Sequence, residues 1–359
     1  MNDIKIVLAN GVEIPCKSFG YRKDVYAPFI FNTSIVGYQE ALTDPSYKKE
    51  ILVMSFPIQG IYGINDLDSE SSKVHLSAFV VNNLEDNFSN NYATKSLRDF
   101  LVENKVQGVS GVDTRFLVKQ IREKGSMYGA IVNINEPKEE VLKKIQNLKL
   151  EEHVKEVSPK EKEILNPKGK KHIVFYDFGA KGNILNMLIK RNFKVTVVPH
   201  DTTSKQVMNL KPDFVFLSNG PGDPAELTGI VDEIKELIKN KVKIAGICLG
   251  HQLISLALGG RTTRLKFGHH SSNHPVKNIE NGKVYITTQN HNYTVLEGSL
   301  PQGVNTFLKS LNDKSVEGLK SEEFGVISTQ FHPEAAPGPS DAYKFFDMFI
   351  EFVEGGKNA

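Results

Sequence analysis

The sequence predicts an N-terminal α+β domain over residues 1–151 followed by a doubly wound α/β domain over residues 172–359. Three observations predict it. Up to about Glu152, short β-prone runs follow one another with a few helical patterns among them, whereas from His172 strands and helices alternate, as in a sheet covered by helices. Between the two, residues 152–171 read E-H-V-K-E-V-S-P-K-E-K-E-I-L-N-P-K-G-K-K, a charged stretch with two prolines and a glycine that has the composition of a linker. Third, the run from Lys243 to Leu258 places Cys248 at a glycine-flanked bend between an apolar strand and an apolar helix.

The bulk properties narrow the function. The chain has 359 residues, 40% of them hydrophobic and 24% charged, with a formal net charge of +2, which describes a globular protein of about two domains. That balance argues against a nucleic-acid binder; the cluster Lys168, Lys170 and Lys171 has acidic neighbours and reads as solvated connector. Two cysteines, Cys16 and Cys248, imply no disulfide framework. The opening M-N-D-I-K-I-V-L lacks the apolar core of a signal peptide, and no apolar run approaches the roughly 18 residues of a membrane span, so a cytoplasmic protein is expected.

In the first domain, Ile4–Leu8 and Val12–Cys16 flank Ala9-Asn10-Gly11 and predict a hairpin. Further strands are expected at Pro28–Asn32, Ile51–Phe56, His75–Val81 and Tyr128–Asn133, and helices at Ser96–Glu103, Thr114–Glu123 and Lys138–Leu148. On the second of these helices Phe116, Leu117, Gln120 and Ile121 share a face. This domain shows no triad, metal set or phosphate loop.

In the second domain, strands are expected at His172–Tyr176, Lys194–Val198 and Asp213–Ser218, with helices at Asn183–Lys190 and Ala225–Lys239, the latter burying Ile230, Ile234, Leu237 and Ile238. The strand Ile244–Ile247 then leads through Cys248 into a helix from Leu249. Flanking glycines allow a tight, strained turn that projects a nucleophile from a strand end, and a helix start aims N–H groups and its positive dipole end at the sulfur, favouring thiolate. Asn281-Gly282 predicts a second hairpin, and Phe345, Phe346, Phe349, Phe352 and Val353 form an apolar stripe on a closing helix, Asp341–Val353.

A lone cysteine at a strand end is ordinarily a small core residue. Partners change that reading. After the strand-like Gly325–Thr329 comes Q-F-H-P-E, in which His332 could take the thiol proton and Glu334 could hold the imidazole; two residues apart on extended backbone, they point to one side. Upstream, Asp213–Ser218 runs into Asn219-Gly220-Pro221-Gly222-Asp223-Pro224, a rigid turn at a strand end whose N–H groups could hold an oxyanion. The turn Asp177–Asn183 is G-x-x-G, not a dinucleotide or P-loop pattern, so it reads as packing. His269, His270 and His274 have no cysteine or carboxylate near them until Glu280, so no metal is assigned.

The ordered set S-N-G-P-G-D-P, G-I-C-L-G-H-Q and Q-F-H-P-E resembles the class I glutamine amidotransferases. L-K-F-G-H-H-S-S-N-H-P-V at Leu265–Val276 and F-N-T-S-I-V-G-Y-Q-E-A-L-T-D-P-S-Y at Phe31–Tyr47 are similar to the small, glutamine-hydrolysing subunits of carbamoyl phosphate synthetase, over essentially the whole chain. The resemblance implies that Cys248 attacks the glutamine carboxamide, His332 carries the proton to the departing ammonia and Glu334 orients His332. It implies an oxyanion hole from the N–H groups of Gly222 and Leu249, and a glutamine site lined by Ser46, Gly220, Gly222, Leu249, Gln252, Asn290, Asn292 and Tyr293. Where the family most often has N-H-G-F, this chain has Asn290-His291-Asn292-Tyr293; asparagine tolerates left-handed backbone, so a main-chain contact at Asn292 is expected to survive. The resemblance implies no cofactor in this chain, with ATP and Mg on a large synthetase subunit as partner, and a product serving arginine or pyrimidine biosynthesis. The alternative, an amidotransferase subunit of another synthetase, is disfavoured by the whole domain ahead of the α/β unit. That first domain is expected to dock the synthetase.

Overall fold

A computed structural model of the chain describes residues 2–150 and 153–355. Residues 1–151 together with Lys266–His270 form one unit, and residues 152–265 with 271–359 a second. Among the described residues no helix is long and apolar enough to cross a membrane.

The first unit is a closed barrel. Its strands are β1 (Ile4–Leu8), β2 (Glu13–Gly20), β3 (Val25–Asn32), β4 (Ile51–Met54), β5 (Ala78–Val80), β6 (Gln107–Ser110) and β7 (Met127–Asn133), in the order β1-β2-β6-β5-β4-β3-β7. The β1–β2 hairpin, the β2–β6 pair and the two pairs made by β7 are antiparallel, while β3–β4, β4–β5 and β5–β6 are parallel. Parallel neighbours need crossovers, and the helices Tyr38–Thr43 and Leu97–Glu103 lie within two of them. Closure leaves no strand edge exposed. The expected strands appear with shifted ends, whereas β6, Q-G-V-S, had no strand signal. A Cβ at Gly108 would lie 2.5 Å from the Phe19 ring, so the position that packs against Phe19 is held by a residue that weakens strand propensity.

The helix Thr114–Lys124 is capped by Asp113, whose carboxylate accepts from Phe116 N. Its buried face is narrower than expected: Leu117 and Ile121 are fully buried, but Phe116 is 40% exposed.

The second unit is built on a ten-stranded sheet of β8 (Glu163–Leu165), β9 (Lys171–Tyr176), β10 (Phe193–Val198), β11 (Phe214–Leu217), β12 (Ile244–Ile247), β13 (Thr262–Asn278), β14 (Val284–Val295), β15 (Asn305–Ser310), β16 (Val316–Ser321) and β17 (Val326–Thr329). The order is β8-β10-β9-β11-β12-β17-β16-β15-β13-β14, with β10, β9, β11, β12 and β17 parallel to one another. The helix Thr228–Lys239 buries Ile230, Ile234, Leu237 and Ile238 as its spacing requires. The closing helix Lys344–Glu354 buries Phe345, Phe346, Phe349 and Val353, with the Phe345 ring 5.1 Å from that of Phe331. The parallel strands end at the bend that carries Cys248 and at the turn after β11, which is where open α/β sheets place their sites.

The linker reading of residues 152–171 is corrected by the structure. Ile164 of β8 pairs with Thr196 of β10, making β8 the sheet edge, and the helix His153–Val157 buries Val154. Ser158 Oγ donates to Asp177 O (2.6 Å) and accepts from His200 N (2.9 Å). The few inward residues are spaced among lysines and glutamates, so composition averaged them away. The expected boundary itself, at Glu151 and Glu152, lies outside the described residues.

Ser158→Ala is expected to lower stability by about 1–3 kcal/mol, since it strands a carbonyl and an N–H. The shift in the chemical-denaturation midpoint measures it. An unchanged midpoint would restore the solvated-connector reading.

Candidate active site

All four residues of the strand Ile244–Ile247, I-A-G-I, are apolar or glycine, so it buries completely, and it ends at a turn with little room. Cys248 follows with φ 53° and ψ −102°, a conformation that costs a non-glycine residue of order 1–3 kcal/mol. The turn is held on both sides: Cys248 N donates to Thr329 O (2.9 Å) and Gly250 N to Ser218 O (3.0 Å). A Cβ on Gly250 would lie 2.4 Å from Leu217 O, so only glycine lets the helix Leu249–Ala257 start against β11. The Cys248 thiol donates to Asn290 O at 3.6 Å.

His332 is brought in by β17 and pinned through its backbone, N donating to Thr288 O at 2.9 Å. Its Nδ1 lies 2.6 Å from Glu334 Oε1, and both side chains are buried. Thus Nδ1 carries the proton shared with Glu334, and Nε2, buried without a hydrogen-bond partner among the described residues, is the nitrogen left for chemistry. Burial alone would push the imidazole pKa down, but the Glu334 carboxylate and the Cys248 sulfur outweigh it and raise it well above the ordinary histidine range.

The structure adds a residue that the motifs did not reveal. Lys181, 2% exposed, sets its ammonium 3.2 Å from Glu334 Oε1 and donates to Ala335 O. Burial would raise the Glu334 pKa; Lys181 foremost, then His332, hold it below the usual carboxylate range instead. Asn183 Nδ2 donates to Glu334 O (2.6 Å), and Asn219 Oδ1 accepts from Lys181 N (3.0 Å). The turn Asp177–Asn183, read as packing, therefore clasps the His332–Glu334 segment and the Asn219 turn together. Its only sequence signal was a lysine set between alanine and glycine in the turn D-F-G-A-K-G-N.

The residues expected to line a glutamine site divide. Gln252, 3% exposed, spends its Nε2 on Tyr293 O (2.8 Å) and Gln330 Oε1 (3.1 Å), so its side chain positions β14. Asn290 contributes the carbonyl facing the thiol. Asn292 lies inside β14 without a positive φ, so the left-handed backbone that asparagine tolerates is not used there. The half-buried Tyr293 hydroxyl has its pKa raised, by burial first and then by the Asp223 carboxylate. Gly222 adopts φ +93°, and neither its N–H nor that of Leu249 is taken by a backbone carbonyl among the described residues. At Gly220 a Cβ would meet Phe178 O at 2.5 Å, so the loop can only run this close as glycine. Ser46 lies in the first unit, its N–H donated to Asp44 Oδ1 at 2.8 Å. His270 of the trio first weighed for metal packs between the rings of Phe31 and Tyr47.

An N–H-lined strand end, a cysteine on a strained strand–helix turn and a histidine–glutamate pair define the class: residues 174–352 match the family described as "Glutamine amidotransferase class-I". Residues 6–131 match "Carbamoyl-phosphate synthase small chain, CPSase domain". The chain is similar to the carbamoyl phosphate synthase small chain of Clostridium perfringens, 45% identical over 97% of this chain and 99% of that one. Against that of Chlorobaculum tepidum the identity is 43%, over 98% of each. It therefore belongs to the carbamoyl phosphate synthase small-chain family.

Lys181→Met is expected to cost about 3–5 kcal/mol at neutral pH by leaving Glu334 buried without its cation, and Lys181→Met/Glu334→Gln to recover much of it. Because the Glu334 pKa is depressed on folding, its stabilisation is present above the unfolded value of about 4.3 and lost as pH falls through the lower folded value. The deficit of Lys181→Met should accordingly shrink in acid. Denaturation curves of both variants against pH check this; additive losses at neutral pH would contradict it.

Proposed function

We propose that this chain hydrolyses glutamine through Cys248, His332 and Glu334 and passes the ammonia to a large, ATP-using chain that makes carbamoyl phosphate from bicarbonate. The observation that carries the reading is the buried 2.6 Å contact of His332 with Glu334, set beside a cysteine held in strained backbone. In acylation the Cys248 thiol gives its proton to His332 Nε2, and the sulfur, now thiolate, adds to the side-chain carbonyl carbon of glutamine, whose oxygen takes the negative charge. The N–H groups of Gly222 and Leu249 hold that oxyanion. His332 gives its Nε2 proton to the amine, the C–N bond breaks, ammonia leaves and a thioester remains. Water then adds to the thioester as Nε2 takes a proton from it, the C–S bond breaks, and glutamate leaves with the sulfur regenerated.

Each supporting group acts at a named atom. Glu334 keeps the Nδ1 proton in place and stabilises the imidazolium, and Lys181 keeps Glu334 ionised inside the protein. Asn290, Tyr293, Gly220 and Gly222 form walls of the glutamine site in the second unit, with Ser46 and Asn292 carried over by resemblance alone. Ammonia released into bulk water would become ammonium and lose its nucleophilicity, so the product is handed over under cover. ATP and Mg belong to the partner chain. Membership of a small-chain family supports a large-chain partner, and the barrel unit, which holds no nucleophile array among the described residues, is assigned to docking it.

Cys248→Ser is expected to abolish glutamine hydrolysis while the complex still makes carbamoyl phosphate from added ammonia; retained hydrolysis would end the nucleophile assignment. His332→Asn should be nearly as damaging, because triad members act as a unit. Glu334→Gln should hurt less, as it keeps a hydrogen bond to Nδ1. Steady-state glutaminase rates rank the three. The wild-type chain alone should turn over slowly and accelerate when the synthetase, ATP and bicarbonate are added.

A further inference from the structure

The barrel unit carries a cationic trough that the glutaminase chemistry does not use. It is a cavity of about 720 Å³ along the helix Thr114–Lys124. On that helix Leu117 and Ile121 face the barrel core, fully buried, and this fixes which residues face away. Arg115, Val118, Lys119 and Arg122 follow at spacings of three, four and seven, which places them on one stripe. The far wall is Lys266, held by its own carbonyl accepting from Ser126 N at 2.8 Å. Between the walls lie Val118 and the Phe267 ring, itself 6.0 Å from the ring of Phe31. Four cations thus surround an apolar floor, with Glu123 and Ser55 completing the lining. Among the described residues the only carboxylate ion-paired with them is Glu123, 3.9 Å from Lys119 with both side chains mostly in water, a pair worth little.

The geometry points to this trough as the seat of an acidic segment of the large synthetase chain, with an apolar side chain on Val118 and Phe267 and carboxylates on Arg115, Lys119, Arg122 and Lys266. The inference rests on the docking role assigned to the barrel unit and names the surface that performs it. A polypeptide is favoured over a small anion because the charges do not converge. Arg115 to Arg122 spans about 10 Å of helix axis at roughly 1.5 Å per residue, a spacing that suits several carboxylates along a chain. A single phosphate would instead need donors aimed at one point. Arginine planes beside an apolar floor are also the composition of interface centres.

The test uses the full chain and the full large chain, with association followed by titration calorimetry as salt is raised. Arg115→Glu/Arg122→Glu should weaken association by about tenfold or more at low salt and flatten its salt dependence, whereas Arg115→Lys/Arg122→Lys should stay within about threefold of wild type. Lys266→Glu lies outside the helix and should reproduce the loss in part, which separates lost docking from a misfolded helix. Wild-type affinity and salt slope in both charge-reversed variants would overturn the trough as the docking seat while leaving the docking role of the barrel standing. Failure of the wild-type chains to associate at all would overturn both. Weakening of wild-type association by added polyglutamate, absent in Arg115→Glu/Arg122→Glu, would further support the trough.

Discussion

Everything at the candidate site depends on the backbone at Cys248 being held where a non-glycine residue does not rest. The strain is offset by neighbours: Cys248 N is fixed to Thr329 O, Gly250 N to Ser218 O, and Gly250 presses on Leu217. These contacts come from the strands on either side of β12, so the sheet itself clamps the turn. The same strands deliver the other parts, β17 running on to His332 and β11 into the Asn219 turn. Strand order, rather than loop chance, brings three distant segments of sequence to one place.

The second constraint is charge without water. Glu334 and Lys181 are almost wholly buried, and an isolated charge there would be expelled or neutralised. Three groups in sequence satisfy one another: Lys181 holds Glu334 ionised, Glu334 holds His332 as a proton carrier, and His332 leaves Nε2 toward the sulfur. The other cysteine shows what burial does without such partners. Cys16 lies inside the barrel, where burial pushes its thiol pKa up to about 12. The two cysteines are similarly hidden, and only one has a base beside it.

Much of this was legible in the residues, for identifiable reasons. Short apolar runs mark buried parallel strands, and glycines on either side of Cys248 mark the bend, which is why Ile244–Ile247 and the helix from Leu249 fell where expected. His332 and Glu334 are close in sequence, so their pairing could be expected, but they meet across a turn closed by Ala335 N donating to His332 O (3.1 Å) and not along the extended backbone expected for them. The part of Lys181 could not be expected, because its partner lies 153 residues away and only the fold brings it there. Barrel closure was hidden for a different reason: β6 is short and contains a glycine needed beneath Phe19, so one strand of the ring had no signal. The edge strand Glu163–Leu165 was masked by the charged run Lys160-Glu161-Lys162 ahead of it, in a stretch that lies at the edge of the sheet.

The central claim, that Cys248 is the nucleophile toward glutamine, is tested most directly by covalent labelling. A glutamine-shaped electrophile should add one equivalent to the intact chain, with peptide mass spectrometry placing it on Cys248. Free glutamine should slow the labelling, and His332→Asn should slow it further, while Cys16 stays unmodified. Labelling of Cys16 in preference to Cys248, or labelling of Cys248 at a rate indifferent to glutamine and to His332, would contradict the account.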